Sequence, residues 1–334
     1  MILRCIKFVL RPFVHAWRRV FIVSFRWKKL FSYDRLRFKK YSGSFNQANE
    51  MCALSRIIMA YHVLEKGLTM PNRRLGFGRE AVLNLIHLIE AFYLQFGKHE
   101  QVSHAAGCVA TYLKLHQDEK FDMTSDPEFW ERINTFVLKQ KSNPVEMILT
   151  TRDAFFALTQ ADFEQFAKSR HTVRYFEGEV DKQKIEKAVT LAMTAPSACN
   201  RQYIRIHCVS NHETRDAILA LQNGNRGFGN TADKLLVITA DLQGLRWHEE
   251  RNDLYTNAGI MLMNLSYALH YCQLGSCILN WSVSPENDQK ARKILLLPNS
   301  ETIVAILAVG ELPKTLQICP SPRKNLSEVL IHHE

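Results

Sequence analysis

Three short stretches of this sequence carry side chains able to hold a ligand. Ser169-Arg170-His171-Thr172-Val173-Arg174 sets two arginines, a hydroxyl and several backbone amides just after a helical pattern ends. Such donors suit a phosphate monoester. Ala195-Pro196-Ser197-Ala198-Cys199-Asn200-Arg201-Gln202 forms a turn of small and amide side chains ahead of a strand. Asn200 and Gln202 offer paired donors and acceptors to the edge of a flat heterocycle. Ser321-Pro322-Arg323-Lys324 adds cations near the C-terminus. Taken singly, each stretch is explained as well by a solvated turn.

The elements that must position these residues are a mixture of strands and helices. Residues 203–210 alternate and read as a strand, and 235–240 and 303–309 read as buried strands. Residues 253–273 form a long helix that is apolar almost all round, which places it in a core or a large subunit interface. There is no regular βαβ alternation, so the class is α+β. Residues 46–168 read mostly as helix, over 47–66, 79–96, 101–115, 126–139 and 152–168. Ser125-Asp126-Pro127 is an N-cap followed by a first-turn proline. The connection 65–78 is rich in Gly, Pro and Arg and longer than a minimal helix link. It reads either as a solvated surface loop or as a loop facing an anion or an active site.

The chain has 334 residues, 46% hydrophobic and 23% charged, and a net charge of +10. These values fit one large or two modest globular domains. Residues 1–40 hold twelve Lys or Arg and one acid, Asp34, so the remainder is close to neutral. A near-neutral body argues against a nucleic-acid partner. The eight cysteines show no CxxC pair, and no Cys/His group has zinc spacing, so unpaired thiols and no metal are expected. HExxH, GxSxG and GxxxxGK[ST] are all missing.

On a helix, Arg4, Lys7, Arg11, Arg18 and Arg19 gather opposite a wide apolar face containing Trp17, with a kink at Pro12. Three readings remain open: attachment of residues 1–31 to an anionic membrane surface, docking on protein, or a cleaved transit peptide.

The order of the short stretches matters more than any one of them. SRHTVRYF (169–176), APSACNRQ (195–202), NTADKLLVITAD (230–241), QLGSC (273–277), AILAVGELP (305–313) and RKNLSEV (323–329) resemble the FMN-dependent nitroreductase family, over about 160–334. The resemblance implies an FMN-binding fold with a mixed central sheet flanked by helices. It divides the chain into a basic arm (1–42), a helical region (43–160) and an FMN-binding domain (161–334). It implies that Arg170 and Thr172 hold the FMN phosphate, helped by Arg323 or Lys324, with His171 a structural member of that loop. Arg174 would sit by the flavin pyrimidine, where a cation stabilises negative charge on the reduced ring. Pro196, Ser197, Asn200 and Gln202 would line the flavin of a partner subunit in a homodimer. Asn230 would contact the ring, and Gly275, Ser276 and Cys277 would lead into the segment near flavin N5 and O4.

The activity implied is hydride transfer from NADH or NADPH, through FMN, to an oxidised small-molecule acceptor. Flavin N5 is the reactive centre and no catalytic side chain is assigned. The alternatives are dehydrogenation, dehalogenation or flavin fragmentation on the same fold, or a membrane-docked module without turnover. The expected location is cytoplasmic, either free or peripheral on the inner face of a membrane. Two departures stand out. Tyr203 replaces a proline, and 241–252 is too short for the family's helical lid. The loop 65–78 is the expected substitute cover.

Overall fold

The computed structural model describes residues 24–41 and 49–333. Most of the amphipathic pattern read in the basic arm lies outside them. Its described part is helix α1 (Ser24–Tyr41), which buries no residue. α1 is held to the body by Asp34, which accepts from Arg251 Nε at 2.6 Å and Nη2 at 2.9 Å, and by Trp27 beside His248.

A helical bundle follows, made of α2 (Glu50–Leu68), α3 (Arg79–Phe96), α4 (Glu100–Asp118) and α5 (Pro127–Gln140). Each helix presents an apolar stripe at steps of three and four. Leu54, Ile57, Tyr61, Leu64 and Leu68 of α2 meet Leu85, Ile86 and Ile89 of α3, Val109 and Tyr112 of α4, and Ile133 and Phe136 of α5. The caps follow the sequence. Asn49 accepts from Cys52 N, and Asp126 accepts from Phe129 N ahead of Pro127.

The helix expected over 152–168 is not continuous. Strand β1 (Ile148–Thr151) precedes α6 (Arg152–Phe156), and α7 (Phe163–Ser169) begins afresh where Asp162 accepts from Gln165 N at 3.0 Å. A second cap inside the segment divides it. The C-terminal body continues with α8 (Lys182–Ala192), β2 (Ile204–Val209), α9 (His212–Leu219), β3 (Lys234–Asp241), α10 (Asp253–Tyr271), β4 (Gly275–Asn280), α11 (Pro285–Ile294), β5 (Glu301–Gly310), β6 (Thr315–Ile318) and α12 (Leu326–Val329).

Its sheet has the order β2-β3-β5-β4, and β1 pairs with β6 in a separate ribbon. Every pairing is antiparallel among the described residues. The expected mixed sheet is therefore corrected. The connections from β2 to β3 and from β4 to β5 each leave and re-enter at one end of the sheet, which makes sequential strands run in opposite directions.

Both faces of the sheet are covered, so β3 and β5 read as continuous apolar runs. Leu235, Val237, Ile306 and Ala308 pack with Ile218, Phe228 and Ala291, whereas Leu236, Ile238, Leu307 and Val309 pack with α8 and α10. Phe155 and Phe156 belong to the first of these cores, so the chain joins the sheet body from β1 onward. α10 turns Leu265 and Leu269 inward and leaves Tyr255, Ile260 and Met263 open.

Candidate functional site

Residues 170–177 run in an extended line beside β4. Val173 N donates to Ser276 O at 3.1 Å, and Val173 and Phe176 are buried. Arg170, His171, Thr172, Arg174 and Tyr175 around them are half-buried. Gly275, Ser276 and Cys277 are buried within β4. A Cβ on Gly275 would collide with Leu312.

Arg170 and His171 share one charged neighbourhood with Arg323. Burial lowers the Arg170 pKa and Arg323 lowers it further, against an opposing contribution from Tyr267. Burial also lowers the His171 pKa, with Arg170 and Arg323 adding to it. Among the described residues, no carboxylate pairs with Arg170 or Arg174. Lys324 behaves differently, lying 3.7 Å from Glu328. Behind this cluster, Ser169 Oγ lies 2.9 Å from both Phe166 O and His270 Nε2. Burial, then Arg170 and His171, push the His270 pKa down to about 4.

Arg174 reaches toward the helical bundle. Its guanidinium contacts Cys319 Sγ at 3.5 Å and His62 Nε2 at 3.3 Å. Lys66 stands near, donating to Gly224 O at 3.0 Å and lying over the Phe228 ring. Its pKa is lowered by burial and then by Arg174. Burial raises the Cys277 pKa, and Arg174 and Lys66 oppose that.

A cavity of about 220 Å³ opens between the two bodies. Thr172, Arg174 and Tyr175 form one wall, Thr69, Met70 and Arg73 another, with Gln317 and Cys319 alongside. The helix expected to stop at Gly67 runs on to Leu68, and the part of 65–78 built against the predicted site is the connection from Thr69 onward. It is fixed from behind. His116 Nδ1 donates to Tyr112 O and its Nε2 accepts from Gly76 N, each at 2.8 Å, while Tyr112 Oη donates to Phe77 O at 2.7 Å. Gly76 and Gly78 both have positive φ, +74° and +66°, as this turn requires. Asn230 is exposed and lines a neighbouring cavity with Arg74, Phe77, Tyr175 and Gly227.

The second motif stands apart. Pro196, Ser197 and Gln202 line a cavity of about 200 Å³ with Val189, Asn257 and Met261. Asn200 is exposed at the tip of the same turn. The loop is strained and pinned. Cys199, Asn200 and Gln202 have φ of 52°, 55° and 49°. Ser197 Oγ accepts from Gln202 N at 3.1 Å, and Asn257 Oδ1 accepts from Ala198 N at 2.7 Å. Arg201 forms a fork with Glu250 at 2.9 and 3.1 Å.

One chain therefore brings Arg170, His171, Thr172, Arg174, Cys277 and Arg323 into one region and leaves Pro196, Ser197, Asn200 and Gln202 in another. Sequence reasoning missed His62, on a helix that carries no motif, and Gln317, in the gap between 305–313 and 321–324. Lys66 and Arg73 fall in the flagged loop but were not singled out.

The nitroreductase family model matches residues 167–223. That stretch includes both 170–174 and 196–202. No curated protein matches the chain. Among solved structures, an FMN-dependent nitroreductase from Clostridium difficile is 22% identical, covering 50% of this chain and 96% of that one, with a TM-score of 0.42. A nitroreductase family protein from Streptococcus pneumoniae is 20% identical, covering 52% and 100%, with a TM-score of 0.44. One from Clostridium novyi is 18% identical, covering 50% and 90%, with a TM-score of 0.42.

Proposed function

We propose that the chain is an FMN-dependent oxidoreductase that takes hydride from NADH or NADPH and passes it to an oxidised organic acceptor. The observation that carries this reading is the grouping of Arg170, His171 and Arg323 beside Thr172 and Arg174, with no paired carboxylate on either site arginine among the described residues. Arginines without a paired carboxylate suit an anionic ligand.

The donor set fits a phosphorylated flavin. Arg170, Thr172 and Arg323 would hold the phosphate and Arg174 the pyrimidine edge. Lys324, paired with Glu328, is the weaker candidate. Bound FMN would supply the hydride chemistry. The chain's own residues bind it, orient it and exclude water. Met70 and Arg73 of the loop 65–78 are the proposed cover, replacing the lid that the two short turns at Leu242–Gly244 and His248–Asn252 leave out.

The exposed loop with Pro196, Ser197, Asn200 and Gln202 would reach the flavin of a second copy. The open apolar positions Tyr255, Ile260 and Met263 of α10 are suited to such a homodimer. No helix among the described residues is long and apolar enough to cross a membrane. We place the protein in the cytoplasm, with the basic arm on an anionic membrane surface.

Titration of the full chain with FMN, followed by quenching of flavin fluorescence, tests this reading. The expected result is one FMN per chain, with affinity reduced about tenfold or more in Arg170→Gln. No FMN uptake, or unchanged affinity in both Arg170→Gln and Arg174→Gln, would overturn it.

A further inference from the structure

Helices α2 and α4 face each other in the bundle, and a second group of reactive side chains lies between them. Glu65 of α2 is fully buried. His104 and Cys108 of α4 are four residues apart and so share one face of the helix. One ligand atom from each of the three lies within 4.8 Å of the other two. Glu65 Oε1 is 2.8 Å from His104 Nε2, while Glu65 Oε2 is buried with no hydrogen-bond partner. An orphaned carboxylate oxygen in a helical core is costly and calls for a missing partner. Cys108 is as deeply buried, and that burial raises its thiol pKa.

We propose that Glu65, His104 and Cys108 bind one divalent transition-metal ion, with zinc the best match. A thiolate, an imidazole and a carboxylate together select a borderline-soft ion over calcium or magnesium. Bond lengths of about 2.0–2.3 Å imply tetrahedral ligand–ligand edges of about 3.3–3.8 Å. The three ligand atoms lie within 4.8 Å of one another, so small side-chain rotations reach these edges, the 2.8 Å contact of Glu65 Oε1 with His104 Nε2 opening to admit the ion. The fourth position is left to water. His104 keeps 13% side-chain exposure, which supplies an entry path.

The proton balance is simple. Glu65 enters ionised, and His104 binds through Nε2 once its ring hydrogen has moved to Nδ1. In the chain as it stands His104 Nε2–H donates to Glu65 Oε1, so on binding that ring takes up a proton at Nδ1 as it releases the one at Nε2. Cys108 gives up its thiol proton to solvent, and one proton leaves for each ion bound. His62 stands outside the ligand set. Arg174 donates to its Nε2, so the hydrogen of the neutral ring is on Nδ1, 3.8 Å from Glu65 Oε2. At that distance it makes no hydrogen bond, so Glu65 Oε2 stays open to an ion. The site would clamp α2 to α4 in the last turn before the connection that follows Leu68. Nothing in this inference depends on flavin binding.

The test uses the full chain, freed of metal with a chelator and titrated with Co²⁺. The expected result is one Co²⁺ per chain, a thiolate-to-cobalt charge-transfer band, and displacement by Zn²⁺. Cys108→Ser should abolish the band, and His104→Gln should weaken binding about tenfold or more, with circular dichroism reporting whether each variant is folded. A readout on the unaltered chain covers the case in which a variant fails to fold: Zn²⁺ should raise its Tm. A chain that shows neither the band nor the Tm shift overturns the proposal. So does a band that survives in folded Cys108→Ser.

Discussion

Arg174 Nη2 donates to His62 Nε2, 3.3 Å away, and so ties the segment beside β4 to the last turns of α2. The same guanidinium contacts Cys319 Sγ at 3.5 Å. A planar fork can meet two partners in different directions while keeping N–H groups for a third. A lysine ammonium cannot reproduce that arrangement. Arg174→Lys is therefore expected to keep the charge yet weaken FMN binding about tenfold, the loss of one charge-assisted hydrogen bond. Isothermal titration would show it; an affinity within twofold of the parent would contradict it.

The loop 65–78 depends on a neutral histidine. His116 donates from Nδ1 and accepts at Nε2, so a charged ring could not accept from Gly76 N. Burial keeps its pKa below the usual value. His116→Leu removes both bonds and leaves the half-buried Gly76 N–H without this partner, at an expected cost of about 1 kcal/mol. Tryptic cleavage at Arg73 and Arg74 should accelerate in the variant. Denaturant melts and digestion rates unchanged from the parent would argue against the pin.

His270 gives the protein a pH dependence with a definite sign. Its folded pKa is about 4, below the 6.5 of a free histidine. Between these values the unfolded chain binds more protons than the folded one, so stability falls as pH drops from about 6.5 toward 4. The shift corresponds to about 3 kcal/mol over that window. His270→Gln should flatten this part of the stability profile. A parent whose stability is constant from pH 7 to 4.5 would refute the assignment.

Helix α1 keeps Phe25, Phe31, Leu36 and Phe38 exposed among Arg26, Lys28, Lys29, Arg35 and Arg37. Aromatic and basic groups together suit an anionic lipid surface. Sedimentation with vesicles containing phosphatidylserine should show binding that weakens with salt. Equal binding by a chain lacking residues 1–40 would exclude the arm.

Much of this arrangement was legible in the sequence, for physical reasons. The positions Leu54, Ile57, Tyr61 and Leu64 have the period of a helix buried on one face, and α2 forms there, running past Gly67 to bury Leu68 as well. The runs in β3 and β5 are apolar throughout because both faces of the sheet are covered. Asp126 and Pro127 marked the start of α5. Other features left no local trace. β1 is four residues long and exists only because β6, more than 160 residues later, pairs with it. The break at Asp162 is a cap inside an otherwise helical composition. His62 carries no motif; its partner Arg174 is 112 residues away. The Glu65, His104 and Cys108 group escaped a search by zinc spacing because its members sit on two helices that only folding brings together. The four-residue step from His104 to Cys108 was the one available signal.

The absorbance spectrum of the purified full chain, recorded before and after anaerobic addition of NADPH and then NADH, tests the central claim most directly. A flavoenzyme gives flavin bands that bleach on adding one of the two nucleotides. A colourless protein that takes up no added FMN would contradict the account, and the roles given to Arg170, Thr172 and Arg174 would fall with it.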